Sequence, residues 1–546
     1  MTEDADTYDF PDTFDFIVTG AGSAGCAVAA RLSESGRHRV LLLEAGKRDR
    51  NPWIHIPLGY AKLFCDPKHN WMFDSEPEPG LNNRIMYQPR GKVLGGTSAI
   101  NGMVYMRGNH ADYDHWRQLG CEGWDWDSVL PFFRRAEDQE RGEDEFHGVG
   151  GPLHVADQPQ RWEIGEAILA ACLEAGIPAN PDFNGARQEG AGYYQTTTKG
   201  GQRWSAAVAY LNPARNRRNL TILPEAHATR VLLEDGRAVG VEYRQGNETL
   251  RARARREVVV SGGVYGSPQM LMLSGIGPAE HLRDHGVPVL HDLPSVGANL
   301  HEHFNSYITY RCTKPITLNE MNYSALRRLR AGWRYMTARK GEMAGNGLYV
   351  GAFVKSDPGL ARPDLQINCF AWSTQERTRE GIRSHPFPGF SISPVHLRPE
   401  GRGTVRLKSP DPMAPPEIRF NFLRSRYDMQ AMLAGMRWAR RIAAQPALAP
   451  YIAAETLPGP HVASDAALEA DIRARGVSNL HPVGSCRMGH GADAVVDPRL
   501  RVHGLRGLRV ADASIMPQII AGNTNAPSIM IGEKAAAMVL EDATAG

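Results

Sequence analysis

Several things are scarce in this chain of 546 residues. An excess of one charge is missing: 62 Lys and Arg stand against 60 Asp and Glu. That removes the basic surplus of a nucleic-acid-binding protein. Cysteine is sparse, with seven residues at positions 26, 65, 121, 172, 312, 369 and 486 and no CxxC. An odd, scattered set argues against a disulfide framework and a zinc site, and fits a reducing compartment. No apolar run approaches the length of a membrane span. Residues 1–13 are acidic and polar, read as a frayed tail, and lack the pattern of a secretory signal. The expectation is a soluble, cytoplasmic enzyme that binds no nucleic acid. The length implies two or more domains.

Glycine, by contrast, is abundant and clustered. Residues 14–46 read strand, glycine turn, helix, strand: FDFIVT, then GAGSAG, then Ala, Val and Leu at helical spacing, then RVLLLE. This is a dinucleotide fingerprint in its proper context. Gly20 allows the turn, Gly22 lets backbone approach a pyrophosphate, and Gly25 lets helix and strand pack closely. The helical spacing runs from Ala24 to Ser35, and the free N–H groups and positive dipole end at its start suit phosphates. Glu44, followed by Ala45, stands about twenty residues on, where an acid accepts hydrogen bonds from a ribose. The motif alone does not separate NAD from FAD.

Residues 47–88 are loop-like and rich in proline and aromatics, a length that usually carries function. Residues 89–109, PRGKVLGGTSAINGMVYMRGN, are too small and polar for an ordinary helix core. They suit backbone lying against a ligand, with Ser98 and Asn101 as hydrogen-bonding groups. In 112–140, Trp116, Leu119, Trp124, Trp126, Val129, Leu130 and Phe133 read as helical core. An amphipathic helix is expected at 163–175, and strands and turns at 190–245. At 255–277 a strand, a glycine turn and a helix start follow, with Pro268 near the first turn. Strands at 306–311, 364–371, 390–395 and 403–408, with helices at 323–340 and 428–444, set 305–470 apart as a second domain.

Four stretches together resemble the glucose–methanol–choline (GMC) oxidoreductases: GAGSAG with Glu44, PRGKVLGGTSAINGMVYMRG, GGVYGSPQMLMLSGIG, and the C-terminal pair HPVGSCRMG and GNTNAPSIMIGEK. The likeness is closest to the choline-dehydrogenase-like branch, which includes bacterial primary alcohol dehydrogenases. The resemblance implies FAD, and an α/β plus α+β fold. A Rossmann-type FAD domain would be assembled from 14–160, 190–304 and 471–546. A substrate domain at 305–470 would place an antiparallel sheet over the flavin. Carried over by motif, Gly20, Gly22, Ser23, Ala24, Gly25, Glu44 and Ala45 would hold the ADP part. Gly95, Gly96, Ser98, Asn101, Gly102, Met103 and Val104 would run along the pyrophosphate and isoalloxazine. Val231 matches the adenine-side contact, and Asp512, Ala513, Asn523 and Ala526 the ribityl and pyrimidine edge. Some members link FAD through a histidine where this chain has Ile100, so the cofactor is expected to be non-covalent. Ser485 replaces the more usual threonine, and Glu302 the usual aspartate.

Alcohol oxidation by a flavin needs a proton taken from oxygen and a hydride delivered from carbon to N5. Histidine is the residue best suited to the first task. His481, which opens HPVGSCRMG, is the expected base, and the amide of Asn525 is expected to orient the hydroxyl. The plain alternatives are a histidine that only packs by the flavin and an asparagine that caps the helix near Pro527, a role for which Asn523 competes. His301 and His303 with one Glu make a poor metal set, so no metal is expected. The reaction expected is a primary alcohol going to an aldehyde, with electrons passed to a quinone or other acceptor. An oxidase using oxygen and making peroxide is the alternative, and a non-catalytic flavoprotein sensor is the alternative of another class. Residues 323–340 carry six basic residues and no acid. Such a helix can contact an anionic membrane peripherally, although a solvated helix or subunit contact is the plainer reading.

Overall fold

A computed structural model describes residues 12–545; the tail expectation for residues 1–11 lies outside the described residues. The chain opens with β1 (Asp12–Thr19), α1 (Ser23–Leu32) and β2 (Val40–Glu44). Phe16, Ile17, Val18 and Val40–Glu44 are buried. Continuous apolar runs of this kind belong to parallel strands covered on both faces. β1 pairs in parallel with β2 and with the long strand Glu248–Val260, and Leu220–Pro224 pairs with β2. Glu248–Val260 also closes an antiparallel meander with Arg237–Gln245 and Ala226–Glu234. Its far end pairs in parallel with Leu508–Val510, so the C-terminal part of the chain returns to this sheet.

The last helix, Asn525–Ala545, packs along α1. Close approach requires small residues on both: a Cβ on Gly532 would stand 2.5 Å from the Ala24 carbonyl oxygen. A charged clasp fixes the pair. Glu533, fully buried, accepts from Arg31 Nε at 2.8 Å and from the Tyr210 hydroxyl at 2.7 Å. Buried charge persists only when paired and hydrogen-bonded in this way.

The second sheet is antiparallel, in the order Ile452–Leu457, Ile308–Cys312, Gly389–His396, Leu365–Phe370, Leu348–Val354, Gly190–Tyr193. Phe304–Asn305 and Val477–Ser478 add to it. Two segments expected in the FAD-binding part therefore join this sheet instead. Gly190–Tyr193 pairs with Leu348–Val354, and Val477–Ser478 pairs with Phe304–Asn305. Such pairing is non-local and leaves no mark in a segment's own composition. The expected helices fall at Glu163–Glu174, Ala325–Ala338 and Arg426–Ala443. Leu119 corrects the aromatic-core reading. It lies at the end of His110–Gln118 and is 42% exposed, while Trp116, Trp124, Val129 and Phe133 are buried.

Pro268 also departs from expectation. It lies inside the helix Gly263–Leu273, not in its first turn. Proline has no N–H to offer the carbonyl four residues back, which is that of Val264. The Ser485 hydroxyl donates to this carbonyl at 2.5 Å, both residues being buried. The Ser485 hydroxyl thus ties HPVGSCRMG to that helix. Replacing Ser485 with Ala should cost about 1–3 kcal/mol by orphaning a buried acceptor, and replacing it with Thr should cost much less. Urea or thermal unfolding of the three proteins checks this; equal stability for Ser485→Ala would mean that the bond contributes nothing.

Candidate active site

A cavity of about 760 Å³ opens where the two sheets meet. Thr19, Leu43, Glu44 and Ser261 reach it from the C-terminal ends of the parallel strands, where open α/β sheets bind ligands. Leu348, Asn368 and Phe370 reach it from the antiparallel sheet. Tyr60, Phe64, Trp71 and Phe73 come from the long loop, and Trp372, Arg377, Arg379 and Ile382 from the segment around the hairpin Thr374–Arg377 and Ile382–Ser384.

Most of the residues singled out in the sequence line this cavity: Gly20, Gly22, Ser23, Ala24, Glu44, Ala45, Gly96, Asn101, Gly102, Met103, Val104, His481, Asp512, Ala513, Asn523 and Asn525. Gly25, Gly95, Ser98, Val231 and Ala526 stand behind the wall. A Cβ on Gly25 would lie 1.9 Å from the Gly20 carbonyl oxygen, so its smallness serves helix packing. Gly95 N–H donates to the Ala21 carbonyl at 2.8 Å. The Ser98 hydroxyl donates to the Gly95 carbonyl and accepts from Ala206 N–H. Val231 N–H donates to the Ser274 hydroxyl at 2.8 Å, while its neighbours Ala226, His227 and Ala228 face the cavity. Ala526 is buried one residue into the last helix. The Asp512 carboxylate accepts from Gly263 N–H, the Ser267 hydroxyl and Ser514 N–H. Its visible role is to clasp the wall together.

The wall suits a dinucleotide of the FAD kind. The N-terminus of α1 has no side-chain cap and no acid in its first turn, and a Cβ on Gly22 would meet nothing within 4 Å. That leaves an open, positive helix end facing the cavity. The buried Glu44 carboxylate accepts from Ala21 and Gly46 N–H, and burial raises its pKa to about 7. Among the described residues, Arg90 Nε and Nη2, His227 Nδ1 and Asn523 Oδ1 are buried on this lining without a hydrogen-bond partner. Orphaned polar atoms along a cavity are sockets for a polar ligand. Ile100 lines the cavity.

His481 lines the cavity. Its main-chain N–H donates to Glu302 Oε1 at 2.8 Å. The preceding Leu480 sits at φ +67°, in the left-handed region. The ring tautomer follows from its partners. His303 Nε2 lies 3.2 Å from the Leu397 carbonyl and so donates to it. His303 Nδ1 is then an acceptor, and His481 Nδ1, 3.2 Å away, is its donor. Asn479 lies 3.1 Å from the same nitrogen, and in this tautomer its amide is turned so that the side-chain oxygen accepts from Nδ1–H. His481 Nε2 is left with its lone pair, 3.0 Å from the Asn523 side-chain amide. Burial, with the charge of Arg90, pushes the His481 pKa down to about 3 and keeps the ring neutral.

Sequence reasoning paired His481 with Asn525; the structure brings Asn523 to it instead. Asn525 Oδ1 accepts from the Ser23 hydroxyl at 2.7 Å, which ties the start of the last helix to the start of α1. Two residues of difference on a turn entering a helix send the side chains in different directions, and spacing alone does not say which one faces the base. His303, Arg90, Asn346 and Trp372 were also not singled out for this site. His303 was read only as a weak metal ligand. Arg90 lay inside the recognised 89–109 stretch. Asn346 Nδ2 donates to the Gly102 carbonyl at 2.6 Å, linking the second sheet to that stretch, and had no local signal.

Comparison with known proteins places these features in context. Residues 14–305 and 399–532 match the N- and C-terminal parts of the GMC oxidoreductase family. The alcohol dehydrogenase (acceptor) of Pseudomonas putida is 44% identical over 532 residues, 96% of each chain. The mitochondrial choline dehydrogenase of Homo sapiens is 42% identical over 97% of this chain and 90% of its own. Among solved structures, pyridoxine 4-oxidase from Mesorbium loti superposes with a TM-score of 0.88 at 30% identity, covering 96% of this chain and 99% of its own. Aspergillus oryzae formate oxidase superposes with a TM-score of 0.91 at 26% identity, covering 98% and 100%.

Glu302 yields a test. Burial raises the pKa of its carboxyl to about 8 despite the His481 N–H bond. A carboxyl whose folded pKa lies above its unfolded value binds more protons when folded. Its contribution is complete below about pH 4.5 and is lost as pH rises through about 8. Glu302→Gln should therefore remove part of the loss of stability between about pH 4.5 and pH 8, measured as urea midpoints; an unchanged pH slope would refute the assignment.

Proposed function

This chain belongs to the GMC oxidoreductase family, FAD-dependent enzymes that act on CH–OH donors, and we propose that it converts a primary alcohol to its aldehyde with His481 as the base and Asn523 as the hydroxyl-orienting group. FAD, when bound, supplies the acceptor for the hydride that leaves the alcohol carbon. The open N-terminus of α1, Glu44 and the backbone of residues 95–104 would hold it without a covalent bond, since Ile100 offers no linking atom. The observation that carries the reading is the lone pair of His481 Nε2, 3.0 Å from the Asn523 amide inside the cavity. A hydroxyl placed beside this pair, within reach of both, would give its proton to Nε2. As negative charge grows on its oxygen, the Asn523 N–H would stabilise it by the logic of an oxyanion site. The imidazolium that results would keep its Nδ1–H on His303, whose own Nε2–H is held by the Leu397 carbonyl.

The lining favours an uncharged alcohol with an apolar or aromatic body. Glu44, Asp74 and Asp512 are the acids on it, and each is already bonded: to backbone N–H groups, to Arg379, and to the groups named above. Arg377 lies over the Phe64 ring at 4.4 Å, so positive charge already occupies part of the aromatic surface a quaternary ammonium would need. Choline, the substrate named for several relatives, should accordingly reduce the flavin more slowly than benzyl alcohol or a medium-chain alkanol. Electrons would pass on to a quinone or another acceptor. Rapid reoxidation of the bleached flavin by oxygen, with peroxide formed, would instead mark an oxidase.

Anaerobic stopped-flow reduction tests the residues. His481→Ala should slow flavin bleaching by about 10²–10⁴-fold with FAD still bound. Asn523→Ala should slow it by about 10²–10³-fold, as for loss of one oxyanion donor, and Asn525→Ala by far less. A damaging Asn525→Ala beside a silent Asn523→Ala would reverse the pairing, and a near-normal His481→Ala would remove the base.

A further inference from the structure

The helix Ala325–Ala338 turns two side chains, Ala331 and Tyr335, into the protein and leaves its other face uncovered. Leu326, Leu329, Trp333 and Met336 are 76%, 72%, 71% and 70% exposed. Their spacing puts all four on one stripe, opposite the buried pair. Scattered exposed apolar residues need no explanation, but a continuous stripe of large ones marks a surface made to be covered. The same turns carry Arg327, Arg328, Arg330 and Arg334, followed by Arg339 and Lys340, with no acid between residues 323 and 340. Arg327 and Arg328 reach backwards to the carbonyls of Pro315, Met321 and Asn322. Arg327 also pairs with Glu320 at 3.6 Å, whereas among the described residues Arg330 and Arg334 form no ion pair. By helical angle, both flank the apolar stripe on one side.

We propose that this helix docks the protein on an anionic lipid surface, with the apolar stripe sunk among the acyl chains and Arg330 and Arg334 on lipid phosphates. Charge complementarity selects this occupant. A second copy of the helix would bring two clusters of like charge together, at a cost that lipid headgroups turn into a gain. An apolar face with flanking cations and a central tryptophan is the pattern of a helix that lies in the interface plane. Among the described residues no helix is long and apolar enough to cross a membrane, so the contact is peripheral.

The position of the helix gives the docking a consequence. Downstream, the chain passes through the short turn Glu342–Ala344 to Asn346, which lines the cavity. Upstream, Asn319 binds the backbone of Ser373, next to the lining residue Trp372. Both ends of the helix are thus anchored to the cavity wall. A docked protein would hold the cavity close to the bilayer, within reach of lipophilic alcohols and lipophilic electron acceptors.

The test is sedimentation of the FAD-loaded protein with phosphatidylglycerol–phosphatidylcholine vesicles at low salt, against pure phosphatidylcholine vesicles. The expected result is binding to the anionic vesicles, at least tenfold weaker to the neutral ones, and reversal by high salt. Trp333→Glu and Leu329→Glu together should cut vesicle binding at least tenfold while leaving bleaching by a water-soluble alcohol unchanged; Arg330→Gln with Arg334→Gln should weaken binding on anionic vesicles only. Absence of vesicle binding would overturn the proposal. So would a dimer in analytical ultracentrifugation that the Trp333→Glu, Leu329→Glu variant dissociates, because the stripe would then be covered by a second copy. Since bleaching by a soluble alcohol is read separately, failure of docking and failure of the alcohol-oxidation reading are distinguishable.

Discussion

Three glycine turns from distant parts of the chain meet backbone to backbone, and the rest of the structure is arranged around that contact. Gly20 sits so close to Ser261 that a Cβ on it would stand 2.4 Å from the serine carbonyl oxygen, and one on Gly96 would stand 2.7 Å from the Gly22 Cα. Gly95 N–H closes the junction on the Ala21 carbonyl. Side chains in these places would fill the space that backbone N–H groups need to face a phosphate. The requirement for a bare backbone wall explains why the cofactor-binding part is built from segments far apart in sequence, since one turn cannot supply it. It also explains the small residues along α1 and the Arg31–Glu533 clasp that holds the last helix against it.

His481, the proposed base, depends on this wall and on the antiparallel sheet together. The turn bearing His481 is held by Glu302 and Ser478, and HPVGSCRMG is anchored further on by Ser485 on the carbonyl that Pro268 cannot use. The ring is buried, so its neutral form is favoured, and the His303–Leu397 link decides which nitrogen carries the proton. Desolvation alone would keep the imidazole neutral in either tautomer. The hydrogen-bond chain makes one of the two useful by leaving Nε2 as the acceptor on the side of Asn523.

Much of this was legible in the chain itself. The fingerprint around Gly20–Gly25, the glycine-rich stretch at 89–109, His481 and the amphipathic helix near 325–338 all rest on local chemistry. The glycine turns, the alternation between runs of periodic apolar residues and turn residues, and the run of arginines are each contained within one segment. The long loop at 47–88 declared itself by its length and its aromatics, and residues from Tyr60 to Asp74 do line the cavity.

What spans segments was decided elsewhere. Gly190–Tyr193 and Val477–Ser478 entered the antiparallel sheet because long-range pairing chose them, with nothing in their composition to announce it. Leu119 sat at a helix end rather than on its buried face, and Pro268 lay mid-helix because a serine more than two hundred residues away satisfies the carbonyl it leaves. The exchange of Asn525 for Asn523 shows the limit most plainly. The sequence by itself determined that an asparagine of GNTNAP would be available near His481. Only the tertiary structure decided which one, because the path of the turn before the last helix points Asn523 at His481 and engages Asn525 on Ser23. Element identity is set by neighbours along the chain, whereas contact between elements is set by where the packed backbone carries them.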